Sequence, residues 1–180
     1  SLARIENADQ CAELMEITAT FLRYNLDNIS KTVTLQKEME NLKDYVAIQE
    51  YRYGGRYSYF FDVDESCFDF KMPCMILQPL VENAIQHGIA MKMSGGCVWI
   101  KVFRTEHHIC MEVRDNGVGM TPQQIRRIYE EFENNGSSGM HIGLRNIYHR
   151  IQLFYNGHAK FEIEAMNPGL KIRIWLQREG

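Results

Sequence analysis

Asp115, in the run Asp115-Asn-Gly-Val-Gly119, puts a carboxylate at the mouth of a glycine turn. A carboxylate there accepts a hydrogen bond from an exocyclic amino group such as N6 of adenine; guanine presents a carbonyl instead and is rejected. Gly117 and Gly119 let the backbone approach a flat ligand closely. In Glu82-Asn83-Ala-Ile-Gln-His87-Gly88, Asn83 and His87 are four apart and share one helix face, with Glu82 and Gln86 beside them. An amide oxygen is a hard ligand suited to Mg²⁺, with phosphates and waters completing the shell. Glu82 is able to take a proton or orient a water. His141-Ile-Gly143-Leu-Arg-Asn146 opens a helix after a Gly/Ser-rich stretch, and free N–H groups at a helix start favour phosphate. Each piece alone has a plain structural reading: an Asp-Asn-Gly turn, a solvated helix face, a glycine before a helix. Together and in this order they can hold a purine, a metal ion and a row of phosphates. The glycine run is neither a Walker A loop, which needs Gly-Lys-Ser/Thr, nor a Rossmann loop, which follows a strand directly.

These residues need a scaffold, and the hydrophobic pattern supplies one. Val98, Ile100, Val102 and then Ile109, Met111, Val113 alternate with polar residues, as do Phe161, Ile163, Ala165 and Leu170, Ile172, Ile174, Leu176 around Asn167-Pro-Gly. Period two predicts strands of a sheet with one buried face. Tyr57 to Val63 reads as a further strand. Helices are expected over about 73–90, with Pro79 kinking its first turns, and over about 143–155. The expected fold is a two-layer α/β sandwich: a mixed, largely antiparallel sheet covered by helices on one face. Residues 116–142 read as a loosely anchored loop with a short helix from Thr121-Pro122.

Ahead of the sandwich the period changes. Ile5, Ala8, Ala12, Met15, Ala19, Leu22, Leu26 and Ile29 repeat in steps of three and four, a heptad seam suited to packing against another helix. Leu14, Ile17, Phe21 and Tyr24 widen the stripe. Thr34 is placed to cap a second helix, Leu35 to about Tyr53, and Gly54-Gly55 to end it. The expected division is a partial helical dimerisation region at 1–53, a hinge at 54–56 and a catalytic domain at 57–180.

Composition narrows the class. The chain has 180 residues with 45% hydrophobic residues, enough for one ordinary core and a helical appendage. A net charge of -3 gives no long-range pull toward nucleic acid or anionic membrane. Five cysteines without a CxxC pair point to reduced thiols in a cytoplasmic setting rather than zinc or disulfides. The chain starts without Met on what reads as mid-helix, so it is expected to be a piece of something longer.

Gln78-Pro-Leu-Val-Glu-Asn-Ala-Ile-Gln-His-Gly88, Asp115-Asn-Gly-Val-Gly-Met120 and Ile142-Gly-Leu-Arg-Asn146 resemble the N, G1 and G2 boxes of the gyrase/Hsp90/histidine-kinase/MutL ATP-binding superfamily. Leu42-Lys-Asp-Tyr-Val-Ala-Ile-Gln-Glu-Tyr-Arg52 narrows the resemblance to bacterial sensor histidine kinases of the YesM type. The resemblance implies ATP and Mg²⁺ as ligands, Asn83 on the metal, Asp115 on adenine, and Gly117, Gly119 and Gly143 shaping the pocket. His87, Leu144 and Asn146 would also lie at the ATP, 120–142 would be its lid, and Glu82 would be the base for the phospho-accepting imidazole. It implies a homodimeric parent held at the bacterial inner membrane by an upstream segment, with the catalytic end in the cytoplasm. Its partner would be a DNA-binding response regulator; no direct nucleic-acid contact is expected. Two departures stand out: His141 replaces the usual first Gly of the G2 box, and residues 1–86 contain no His, so the usual acceptor is missing. An anti-sigma-factor-type serine kinase and a non-catalytic nucleotide-sensing dimerisation module are the alternatives, and the leading helices argue against the first.

Overall fold

Alternation of apolar and polar residues becomes a five-stranded sheet in the computed structural model, which describes residues 2–28, 31–133 and 142–178. The strands β2 (Tyr57–Val63), β4 (Gly96–Arg104), β5 (His108–Asp115), β6 (Lys160–Ala165) and β7 (Leu170–Gln177) lie in the order β2-β4-β5-β7-β6. β2 and β4 pair in parallel, from Tyr57 opposite Gly96 to Val63 opposite Val102; the remaining pairs are antiparallel. Val98, Ile100, Val102, Ile109, Met111, Val113, Ile172, Ile174 and Leu176 are all buried, as period two requires. The opposite face carries charge pairs across the strands, among them Lys101–Asp62 at 2.7 Å and Arg173–Glu112 at 2.6 Å. One face is thus covered by helices, while the other mixes charge pairs with aromatic pairs such as Phe60 on Trp99 and Phe103 on Trp175, the expected sandwich.

The covering helices are α2 (Leu35–Tyr53), α3 (Leu77–Asn83) continued by a π-helical turn (Ala84–Ile89), α4 (Pro122–Glu133) and α5 (Ile142–Phe154). Thr34 caps α2 as expected, its hydroxyl accepting from the Lys37 amide at 3.4 Å, and Gly54 closes it in the left-handed conformation at φ 59°. Leu35, Met39, Leu42, Tyr45 and Val46 of α2 belong to the same buried cluster as α3 and the sheet. α2 is therefore packed into the sandwich by its apolar face, whatever its sequence neighbours do.

Two expectations are corrected. The helix expected over 73–90 starts only at Leu77, because Lys71–Pro73 form β3, paired antiparallel with β1 (Thr32–Thr34). Pro79 consequently sits in the first turn of α3, where its missing N–H is not needed. The second correction concerns 116–142. Thr121 and Gln124 cap α4 reciprocally, the Thr121 hydroxyl accepting from the Gln124 amide at 3.3 Å and the Gln124 side chain from the Thr121 amide at 2.8 Å. Phe132 then stacks on Tyr148 at 4.4 Å, and the Tyr129 hydroxyl accepts from the Ile163 amide at 2.9 Å. Residues 122–133 are anchored, not loose. Residues 134–141, including His141, lie outside the described residues.

α1 (Leu2–Asn28) packs on α2, and Phe21 lies 5.8 Å from Tyr45 ring to ring. The face it turns inward is Leu14, Ile17, Phe21 and Tyr24. The heptad seam from Ala8 to Leu26 faces out, with Met15 72% and Leu26 76% exposed.

Candidate nucleotide site

β5 carries Asp115 to the end of the sheet, and the turn after it is tied down on both sides. The Asn116 side chain accepts from the Cys97 amide at 2.8 Å and donates to the Gly95 carbonyl at 3.0 Å, which pins the turn to the start of β4. The Val118 amide donates to the Gly88 carbonyl at 3.1 Å, which pins it to the π-helical turn. Contact there is backbone on backbone. A Cβ on Gly117 would overlap the Gly88 carbonyl, and a Cβ on Gly88 would stand 2.7 Å from the Asp115 carboxylate. Only glycine fits either position, so the two motifs are made for each other.

Asp115 is 3% exposed. One of its oxygens accepts from the Gly117 amide at 2.7 Å. Burial pushes its carboxyl above the ordinary carboxylate range, while the amides of Gly117 and Leu170 pull the other way. The remaining acceptor capacity belongs to a crevice lined by Asn83, His87, Gly88, Asp115, Gly119, Met120 and Leu170. The fold thus brings together Asn83, His87, Asp115 and Gly119 from two separate motifs, with Gly117 directly behind. Among the described residues this crevice encloses about 10 Å³.

Asn83 is the last α-helical residue before the π turn. π turns of this kind recur at functional sites because they re-aim the residues around them. Glu82 is not among the crevice residues. Its carboxylate accepts from Gln86 at 2.8 Å and lies on the side of α2: burial first, and then the Glu82 charge, raise the Tyr45 phenol. Gly143 is exposed in the first turn of α5, with open space where a Cβ would stand, and Asn146 is exposed one turn on. Leu144 points into the core, so only its backbone faces outward. These three lie outside the crevice. Among the described residues no cluster of three or more His, Cys, Asp or Glu could cage a metal ion; a cation here would rest on an amide oxygen and on oxygens of the ligand.

Sequence reading missed three supports of this site. Leu170 and Met120 line it, and Gly169 lies beneath it, its carbonyl 2.6 Å from where a Gly119 Cβ would stand. Gly169 and Leu170 have no local signal, since the β6–β7 turn reaches the site only through strand order, whereas Met120 closes the Asp115–Met120 run itself. Asn116 was legible in type, because Asn in such turns bonds nearby backbone.

A sandwich with this crevice beside its glycine turn defines a nucleotide-binding class. The chain belongs to the histidine kinase-, DNA gyrase B- and HSP90-like ATPase family, whose model matches residues 69–180, and residues 1–57 match the histidine kinase family model. It is 33% identical over 174 residues to the sensor histidine kinase YpdA of Escherichia coli K12, covering 96% of this chain and 30% of that protein. To the sensor histidine kinase/phosphatase LytS of Staphylococcus aureus it is 29% identical, covering 94% of this chain and 29% of LytS. The chain therefore spans about a third of these relatives. In fold it is similar to the mycobacterial sensor histidine kinase MprB, with TM-score 0.58, 17% identity and coverage of 82% and 97% of the two chains. The histidine kinase domain of the Erythrobacter litoralis blue-light kinase EL346 gives TM-score 0.54 at 14% identity, covering 80% of this chain and 61% of that one. The family binds ATP. Among the described residues no helix is long and apolar enough to cross a membrane.

Proposed function

We propose that this chain is the ATP-binding catalytic end of a two-component sensor histidine kinase. It moves the γ-phosphoryl group of ATP to a histidine, from which it passes to an aspartate of a DNA-binding response regulator. The observation that carries this reading is the meeting of Asn83, His87 and Asp115 in one crevice. The first transfer makes a bond between phosphorus and an imidazole nitrogen, breaks the bond to the leaving ADP oxygen, and sends the imidazole proton to Glu82. Glu82 lies toward α2, the side from which a helix-borne histidine would arrive. Asp115 holds adenine, Gly117 and Gly119 let its turn close against Gly88 and Gly169, and Gly143, Leu144 and Asn146 offer the start of α5 to the phosphates. Bound Mg²⁺, held by Asn83 and phosphate oxygens, would neutralise charge on the transferring group.

The outward seam of α1, with Met15, Leu22 and Leu26 exposed, supports a homodimeric parent through helix pairing. A membrane anchor and a cytoplasmic placement belong to that parent.

Calorimetry tests the metal assignment. Wild-type chain should bind ATP more tightly with Mg²⁺ than without it. Asn83→Ala should bind ATP alike in both conditions, because the ligand oxygen is gone while Asp115 remains. A wild-type Mg²⁺ dependence in Asn83→Ala would move the metal elsewhere.

A further inference from the structure

Glu38 is the most deeply buried charged residue in the described chain, 1% exposed, and the crevice does not use it. It sits on α2, yet its partners lie at the start of α3. One carboxylate oxygen accepts from the Ile76 amide at 2.7 Å and the Leu77 amide at 3.0 Å; the other accepts from the Met75 amide at 2.9 Å. α3 has no side-chain cap of its own at Ile76, so Glu38 caps it from another helix. An anion suits that position because the helix dipole and its unpaired amides both favour negative charge. Burial raises the Glu38 carboxyl, while the three amides and Tyr24 lower it. Three amides can only donate, and the ionised form serves them all.

Two further contacts make this junction a crossroads. The Tyr24 hydroxyl of α1 donates to Glu38 at 3.1 Å. Arg150 of α5 donates to the Met75 carbonyl at 2.5 Å. Met75 itself is held at φ 56°, a conformation disfavoured for a side-chain-bearing residue. One turn along, the Asn41 amide of α2 donates to Gln78 of α3 at 3.2 Å. Helices α2 and α5 therefore grip the few residues that set where α3 begins, and α1 reaches them through Glu38. From there α3 and its π turn run without a break to Asn83, His87 and Gly88.

We infer that Glu38 is the positioning residue that fixes α3, and with it the nucleotide crevice, and that Tyr24 couples the packing of α1 to that crevice through Glu38. The inference rests on the ATP reading of the crevice. By linkage the coupling runs both ways: what alters the Tyr24–Glu38 contact alters nucleotide affinity, and bound nucleotide alters the contact.

The test uses the full chain with Glu38→Gln and Tyr24→Phe. Gln presents an amide donor to a cluster of donors; Phe keeps the ring of Tyr24 and removes only its hydroxyl. Hydrogen exchange is followed at the Met75, Ile76 and Leu77 amides, and Mg-ATP affinity is measured by calorimetry. In Glu38→Gln those three amides should exchange at least tenfold faster while core strand amides keep their protection, and ATP should bind at least tenfold more weakly. In Tyr24→Phe the affinity should fall about threefold with melting temperature nearly unchanged, and in wild type ATP should slow exchange at the three amides. A Glu38→Gln protein that loses protection everywhere shifts the decision to Tyr24→Phe. Tyr24→Phe with unchanged affinity and unchanged exchange at 75–77 overturns the coupling. Glu38→Gln with unchanged exchange there overturns the positioning role. Wild-type chain that binds no ATP overturns instead the reading of the crevice, and the exchange measurement still stands on its own.

Discussion

Asp115→Asn should bind ATP at least tenfold more weakly than wild type, lose the preference for ATP over GTP, and melt at a higher temperature. The first two effects follow from what the crevice offers a base. The Asp115 carboxylate already accepts from the Gly117 amide, and the Leu170 amide also acts on it, so its remaining acceptor capacity toward the crevice is what an exocyclic amino group would use. Guanine would leave that buried acceptor unpaired, a cost of about 1–3 kcal/mol, or roughly 5- to 150-fold in affinity. Asn keeps the acceptor toward Gly117 and turns an amino group into the crevice, which faces adenine N6 donor to donor and accommodates the guanine carbonyl. The third effect has the opposite sign because the carboxylate is a burden on the fold. Burial raises its carboxyl above the ordinary value, so the native state holds that proton more tightly than the unfolded chain does. Stability from this group is greatest in acid and declines as pH rises from the ordinary value through the raised one. At neutral pH the buried charge is a net cost, which Asn removes. Melting curves against pH should therefore be flatter for Asp115→Asn over that acid range. Equal ATP and GTP affinity in wild type, or a lower melting temperature for Asp115→Asn at neutral pH, would sink this account.

What the sequence made legible follows from how local each signal is. The five main strands and α2 were readable because alternation, Thr34 and Gly54 act within a few residues. Asp115, Asn83 and the glycines were readable as types, since each chemistry needs that side chain. Their meeting was not: Gly117 and Gly88 press together only because β5 lies beside the turn after α3. Glu38 was invisible for the same reason. On its helix it looks like one surface charge among several, while its partners are 37 to 39 residues away. Pro79 misled because a proline's effect depends on which turn it occupies, and that was set by β1 pairing with β3. The anchoring of α4 was missed because Ile128, Tyr129 and Phe132 are spaced as a helix face inside a segment otherwise rich in Gly, Ser and Asn. The π turn has no sequence signal we can name.

The acceptor histidine gives the second large effect, an all-or-none one. With Mg-ATP this chain alone should form no acid-labile phosphate. Residues 1–86 contain no His, so neither α1 nor α2 offers an imidazole to Glu82. His87 lines the crevice and, as part of its wall, is expected to serve the nucleotide rather than to accept from it. His107 and His108 sit at the turn between β4 and β5, at the far end of the strands from Asp115. His149 and His158 are exposed on α5 and just before β6. Supplying a chain extended upstream to include a histidine-bearing helix, with its own site disabled by Asp115→Ala, should restore transfer if the outward seams of α1 pair. The product should be acid-labile and base-stable, as a phosphoramidate is. Acid-stable phosphate on an added protein would point instead to a serine kinase. Phosphohistidine on the 180-residue chain alone would mean that the acceptor is one of the chain's own six histidines, and that Glu82 does not face it from the side of α2.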